Sequence, residues 1–133
     1  MSALFDPGRE GFLDATIDWD TADIRVMLVK SAYSFVASHK FVSEVSGTGD
    51  NGRSVALTGK TVANGIANAS GTSLTATSAV ACNALIVYQY NAADAAARLI
   101  CYIDSATGLP FTPAASQVVN ISWDTGANKI FKL

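Results

Sequence analysis

Few residues in this sequence could carry out catalysis. Histidine, the side chain that most often acts as a general acid or base, occurs once, as His39 in a polar stretch. No serine stands in a G-x-S-x-G turn, and the pairs H-x-x-x-H and C-x-x-C, which are typical of zinc sites, do not occur. We therefore predict that His39 is a solvated loop residue, that the chain has no catalytic residues, and that it is not an enzyme.

Four aspartates lie close together near the N-terminus, at Asp14, Asp18, Asp20 and Asp23. A hard cation such as calcium needs several oxygen ligands on one tight loop, so the cluster could bind a metal. The spacing differs from that of an EF-hand loop, because Ala22 and Asp23 stand where a glycine is needed and no glutamate closes the loop. We predict that these aspartates cap turns and solubilise strand ends, and that no metal binds.

A glycine-rich segment, GTGDNG at residues 47–52, matches the dinucleotide fingerprint G-x-G-x-x-G. In that fingerprint a strand precedes the glycines and a helix follows them, so that the pyrophosphate meets the helix N-terminus. Here residues 53–57 favour a strand, and no strand–helix–strand unit surrounds the segment. We predict a surface loop over residues 46–53 and no cofactor.

The chain has two cysteines, Cys82 and Cys101. If residues 84–90 and 98–104 form a hairpin, Cys101 lies opposite Val87, and Cys82 is too far away for a disulfide. Another strand pairing could still bring the two together. We predict that both are buried, reduced thiols.

The composition indicates a chain that is covered by a partner. The 133 residues suit a single domain, residues 1–133. Charged residues make up only 15% of the chain and the mean hydropathy is +0.28, which is high for a protein that remains alone in water. We therefore expect part of the surface to be buried in an assembly.

Charge and hydropathy exclude two classes of partner. The formal net charge is −2 and the nine basic residues are scattered, so we expect no direct nucleic-acid binding. No window of 18 apolar residues occurs, and the N-terminus lacks the basic and apolar regions of a signal peptide. We expect neither a membrane-spanning segment nor signal-directed secretion.

The pattern of apolar runs and turns predicts an all-β fold, mainly an antiparallel β-sandwich or a Greek-key or jelly-roll-like arrangement, with one or two short helices near the N-terminus. The predicted helices are residues 7–14, with Asp6 as cap, and a single turn from Ser38 through Val42. Residues 1–14 form either this short helix or an N-terminal arm. The predicted strands are 24–30, 84–90, 98–104, 117–123 and 129–133, with weaker ones at 55–57, 61–63 and 73–77. We expect the last four of the stronger strands to form an antiparallel meander.

The strand at residues 98–104 is apolar on both faces. Alternation places Leu99, Cys101 and Ile103 on one face and Ile100 and Tyr102 on the other. Such a strand lies between two covered faces, inside a sandwich and beneath a loop layer or a neighbouring subunit.

Six strings in the sequence resemble small proteins encoded in the structural-gene region of tailed bacteriophages. They are DPGREGFL at 6–13, IDWD at 17–20, LTGKTV at 57–62, RLICYID at 98–104, TGLP at 107–110 and WDTGANKIF at 123–131. The resemblance runs from end to end and implies a virion protein without enzymatic activity. It assigns no catalytic residue.

Within that family we expect a capsid decoration or cement protein, made in the host cytoplasm and bound to the outer head shell. Its partner would be the major capsid protein, and it would form a homo-oligomer, for which we expect a closed trimer. The candidate interface residues are Phe5, Phe12, Leu13, Tyr88 and Tyr102. The alternative is a tail, neck or fibre component. A third hypothesis is a carbohydrate-binding module or a small hydrolase, although no sequence feature indicates either.

Overall fold

The structure, a computed structural model, describes residues 2–133. It is mostly β with two short helices, which confirms the all-β class. The helices are α1 (Asp6–Leu13) and α2 (Ser43–Gly49). The strands are β1 (Ser2–Leu4), β2 (Ile24–Lys30), β3 (Asp50–Arg53), β4 (Thr61–Ala63), β5 (Ile66–Asn68), β6 (Thr72–Thr75), β7 (Cys82–Gln89), β8 (Arg98–Ile103), β9 (Val118–Ile121) and β10 (Phe131–Lys132). Within residues 2–133, neither helix is long and apolar enough to cross a bilayer.

A five-stranded antiparallel sheet forms the centre of the fold, in the order β1-β8-β7-β2-β3. Its middle strands β2 and β7 are apolar on both faces, and most of their residues are buried. Strands with two apolar faces must be covered on both sides. The sheet therefore separates two hydrophobic clusters.

One cluster lies beneath two small sheets, β10-β5-β4 and β6-β9. It joins Ile24, Val26 and Leu28 of β2 to Leu74 of β6 and Phe131 of β10. The other cluster lies beneath residues 31–49, where Tyr33, Val42 and Val45 cover the opposite face of the sheet. The loop layer expected over β8 is thus supplied by this same chain.

The N-terminal residues belong to the sheet. β1 pairs with β8, and α1 packs on β8 so closely that a Cβ atom at Gly8 would lie 2.9 Å from the carbonyl oxygen of Leu99. The short helix of the sequence prediction is therefore present at Asp6–Leu13, although its N-cap is Phe5 and not Asp6. Residues 2–13 do not form a free arm.

The predicted four-stranded meander is wrong. β7 and β8 form the expected hairpin, and Val87 pairs with Cys101 as predicted. β9 pairs instead with β6, and β10 pairs with β5. Both late strands take partners about 45 to 65 residues earlier in the chain, which local turn signals do not reveal.

The predicted alternation on β8 is interrupted by a bulge. Val87 pairs with Cys101 and Tyr88 pairs with Leu99, so that Ile100 is the extra residue. Leu99 consequently joins the cluster under residues 31–49, whereas Ile100 and Cys101 both join the cluster under the small sheets. Leu99 and Cys101 do not share a face.

Two local predictions between residues 38 and 53 are wrong. Residues 38–42 do not form a helical turn, because the Glu44 carboxylate accepts hydrogen bonds from the amides of Lys40 and Phe41 and the following helix begins at Ser43. Residues 46–53 are not a loop, because they contain the end of α2 and all of β3. Buried Val45 anchors this helix against the core.

The weaker strand predictions have mixed outcomes. Residues 61–63 form β4, and 73–77 overlap β6. Residues 55–57 are not assigned to a strand, although the Leu57 amide donates to the Ile24 carbonyl. Strand β5 was not expected, because its run of three residues carries little signal.

Candidate interaction surface

An apolar groove lies where the N-terminal helix meets the C-terminal strand. Its volume is about 400 Å³, and it is open to solvent. The residues that line it are Phe12, Ala15, Ile17, Asp18, Trp19, Asp20, Val62, Gly65, Ala67, Phe131 and Leu133. We refer to this set as the apolar groove.

Three aromatic rings form the base of the apolar groove. Phe12 at the end of α1 lies 5.7 Å from Phe131 of β10, between ring centroids, and Trp19 meets Phe131 edge to face at 5.2 Å. The Trp19 indole Nε1–H donates to the carbonyl oxygen of Asn68 at 3.2 Å, so the buried indole is fixed in orientation. Phe12 is held by α1, Phe131 by β10, and Trp19 by its hydrogen bond to β5.

Large aliphatic side chains stand exposed around this base. Val62 is 59% exposed and Leu133 is 56% exposed. Leu13, the neighbour of Phe12 in the chain, is 89% exposed but is not among the residues that line the groove. Single exposed apolar residues are common on protein surfaces, but a contiguous apolar set around a groove marks a contact site. Here Val62 and Leu133 line the same groove as Phe12.

Two carboxylates give the groove an acidic rim, because Asp18 and Asp20 are both exposed. Hydrogen bonds from Thr21, Oγ1–H at 2.6 Å and the amide at 3.3 Å, lower the pKa of Asp18. Asp18 is therefore ionised at neutral pH. A partner that fits this surface combines an apolar side chain with a basic one.

The residues chosen from the sequence as an interface occupy different places. Phe5 and Tyr88 are fully buried and Tyr102 is almost so, all three within this chain's own core. Phe12 is half-buried in the apolar groove, and Leu13, the next residue in the chain, is exposed but does not line the groove. Only Phe12 and Leu13 can meet a partner while this fold is intact.

The sequence did not reveal that residues 62 and 131–133 complete the apolar groove. β4 is short and exposed at all three positions, and Val62 there is flanked by a threonine and an alanine. The sequence pattern of that strand does not indicate that its valine side chain is exposed to solvent. The signal that could have found it is the pair of large apolar residues, Val62 and Leu133, on short terminal or edge strands.

The candidate chemical residues have structural roles. His39 is half-buried, and its Nδ1 lies 3.0 Å from the Tyr33 hydroxyl. Asp14 accepts the amide and hydroxyl of Thr16, and Asp18 accepts those of Thr21, as expected of turn caps. Within residues 2–133, no three His, Cys, Asp or Glu side chains are grouped as metal ligands.

Both cysteines are free and buried, as predicted. Burial raises the pKa of Cys101 to about 12. Burial also raises the pKa of Cys82, whose Sγ lies 3.1 Å from the Asn51 side-chain nitrogen. Both groups are therefore thiols at neutral pH and poor nucleophiles.

The glycine-rich segment lies at the end of a helix and not at its beginning. Gly47 and Gly49 belong to α2, and Gly52 follows in β3 with φ of +124°. A Cβ atom at Gly52 would lie 2.3 Å from the carbonyl oxygen of Thr75. These glycines thus allow close backbone packing, and their geometry is not that of a dinucleotide fingerprint.

Comparison of the chain with protein-family models, with curated proteins and with solved structures gave no match.

Proposed function

We propose that this chain is a non-enzymatic structural protein of a tailed-phage virion that decorates the outer head shell. The resemblance in the sequence and the low charge content support this proposal. The observation that carries it is the apolar groove, because a contiguous apolar surface with an acidic rim is suited to stable contact with another protein.

The proposed occupant of the apolar groove is the major capsid protein. Its contact segment presents an apolar side chain to Phe12, Val62 and Leu133, and a basic side chain to Asp18 and Asp20. This pairing buries exposed aliphatic surface and neutralises the rim. Phe5, Tyr88 and Tyr102 belong to the cluster on the opposite face of the main sheet and do not line the groove.

The proposed mechanism is mass action. A protein that binds only the assembled shell stabilises it by an amount that increases with occupancy. Many symmetric copies add their contributions, and a closed trimer suits positions of local three-fold symmetry. In this role the chain needs a stable fold and a contact surface, and no catalytic group.

The first test is to measure binding of the purified chain to shells that lack it, by co-sedimentation. Val62→Asp and Leu133→Asp place a charge in the apolar groove at exposed positions, and we expect each to weaken binding at least tenfold. Val36→Asp is the matched control, because Val36 is an exposed valine on the layer that covers the opposite face of the sheet. Equal binding by all three variants would reject the groove as the contact surface.

Copy number distinguishes the head from the tail. Decoration requires hundreds of copies in a particle, on the order expected for a symmetric shell. A tail, neck or fibre component is present in a small multiple. Quantitative mass spectrometry of purified particles separates these two outcomes.

A further inference from the structure

A second, polar cleft opens between β9 and the segment that follows β8. Its volume is about 700 Å³, within the range of small-molecule sites. One wall carries Asn120, Ser122 and Trp123, and the facing wall carries Ser105 and Thr107. We refer to this as the Trp123 cleft, and it shares no lining residue with the apolar groove.

The Trp123 cleft is lined by both apolar and polar residues. Leu85, Ile103 and Ile130 are apolar lining residues that belong to, or pack on, the core beneath the small sheets. Asp124 and Lys129 place one charge of each sign at the cleft. The cleft therefore combines apolar surface with hydrogen-bonding groups and has little net charge.

Trp123 is held in place at the wall of this cleft. It is half-buried and packs against the core cluster, and its indole Nε1–H donates to the carbonyl oxygen of Ser70 at 3.0 Å. Because the Trp123 side chain is already held in one orientation, the stacking of a ligand on its ring costs little side-chain conformational entropy. A half-buried aromatic ring beside polar groups can contact a ligand, whereas an aromatic ring that is fully buried in the core cannot.

Several polar side chains of the cleft have hydrogen-bond donors and acceptors that no protein group among the described residues uses. Within residues 2–133, the side chains of Asn120, Ser122 and Thr107 make no hydrogen bond to the protein. The Asp124 carboxylate accepts one, from the amide of Gly126. An amide, two hydroxyls and a carboxylate with free lone pairs can satisfy a ligand that is rich in hydroxyl groups.

We propose that the Trp123 cleft binds a neutral oligosaccharide. A pyranose ring has an apolar C–H face, which stacks on an indole, and hydroxyl groups at its rim, which pair with amides, hydroxyls and carboxylates. The cleft volume accommodates roughly two or three rings on the scale of ordinary ligand sites. The opposite charges of Asp124 and Lys129 at the cleft favour a neutral ligand over an ionic one. The site is independent of the apolar groove and of the proposed head location.

The test is a titration of the ¹⁵N-labelled full chain with maltotriose, cellotriose and tri-N-acetylchitotriose, each followed by amide chemical shifts. For at least one sugar we expect saturable shifts at residues 105–107 and 120–125, with a dissociation constant on the order of 1 mM, as for a weak single site. No saturable shift with any of the three sugars overturns the proposal. Shifts that map to Val62 and Leu133 also overturn it.

Two variants separate recognition from fold. Trp123→Ala removes the stacking surface, and we expect at least a tenfold loss of affinity. Because Trp123 also packs on the core, Asn120→Ala provides a second test at an exposed residue, with an expected loss of about threefold to tenfold. Tyr90→Ala is the control, since Tyr90 is an exposed aromatic outside the cleft. Unchanged affinity in Trp123→Ala and Asn120→Ala would contradict the assignment.

Discussion

Trp19 and Phe131 meet edge to face, with ring centroids 5.2 Å apart and planes at 89°. This contact joins the segment after the N-terminal helix to the last strand of the chain. It forms the base of the apolar groove and leaves Val62 and Leu133 exposed at its edges. The groove is therefore a product of the tertiary fold, to which three distant parts of the sequence contribute.

The base and the edge of the apolar groove should contribute differently to the stability of the fold. In Phe131→Ala, we expect the free energy of unfolding to fall by about 3 kcal/mol, because a large buried ring is replaced by a cavity. In Val62→Ser, we expect a change of at most about 0.5 kcal/mol, because Val62 is mostly exposed. Urea denaturation of the two variants gives both values. A large loss in Val62→Ser would show that this side chain is part of the core and not of a free surface.

The packing of α1 on β8 can be tested with a single methyl group. In Gly8→Ala, the added Cβ would lie 2.9 Å from the Leu99 carbonyl oxygen and 3.0 Å from that of Ile100, both backbone atoms. We expect a destabilisation of about 1–3 kcal/mol by urea denaturation.

Gly47→Ala is the matched control for that experiment. It is also a helical glycine, but a Cβ there meets nothing within 4 Å. We expect it to be neutral or to stabilise by up to about 1 kcal/mol, because alanine restricts the unfolded chain and favours the helix. Equal effects at the two positions would contradict the close packing of α1.

Removal of residues 2–13 should unfold the protein. β1 contributes an edge strand to the main sheet, and α1 covers β8. We expect the truncated chain to lose its cooperative thermal transition, which circular dichroism would show. A truncated chain that still unfolds cooperatively would mean that these residues form a dispensable arm after all.

An ion-pair network should make stability depend on acid pH. Arg53 donates two hydrogen bonds of 2.8 Å to Asp94 and one of 2.9 Å to Asp50, which joins β3 to the loop before β8. The Arg53 hydrogen bonds lower the pKa of Asp94 in the folded protein, whereas the pKa of an aspartate in the unfolded chain is about 3.9. The unfolded chain therefore binds the proton more tightly. The stabilisation is present above about pH 4 and is lost as the pH falls through the lowered pKa.

Asp94→Asn tests this network. At pH 7 we expect it to lose about 1 kcal/mol, since the pair is partly exposed to solvent. The difference from the wild type should shrink as the pH is lowered below about 4. Glu10→Gln, which alters an exposed carboxylate on α1, is the control. A difference that does not change with pH would argue against the charge on Asp94 as the cause.

The two thiols should be unreactive in the folded protein. Burial raises the pKa of both Cys82 and Cys101, so the reactive thiolate is scarce near pH 8. With Ellman's reagent we expect no fast reaction until concentrated guanidinium chloride is added, after which both cysteines react. Rapid modification of the native chain would contradict the buried positions.

Local signals in the sequence were sufficient for part of this fold. β2 was predicted at its observed bounds, and the pairing of Val87 with Cys101 followed from a short hairpin. The bulge at Ile100 could not be predicted, because either face of that strand is apolar and the sequence shows no break in alternation. The partners of β9 and β10 lie in earlier parts of the chain, and their pairing depends on long-range packing.

The two surface sites were less predictable than the fold. Phe12 was identified from the sequence, but the apolar groove also needs residues 62–67 and 131–133, which only the fold brings together. Trp123 is the last residue of the predicted strand 117–123. Its place on a cleft depends on the separation of β9 from residues 105–107, which no pattern of residue types encodes.

Cryo-electron microscopy of purified particles tests the proposed function most directly. We expect density for this chain at symmetric positions over the outer shell, with the apolar groove, including Phe12, Val62 and Leu133, against the capsid protein. Density only at the tail or neck would contradict decoration of the head. Absence of the chain from the particles would contradict a structural role in the virion altogether.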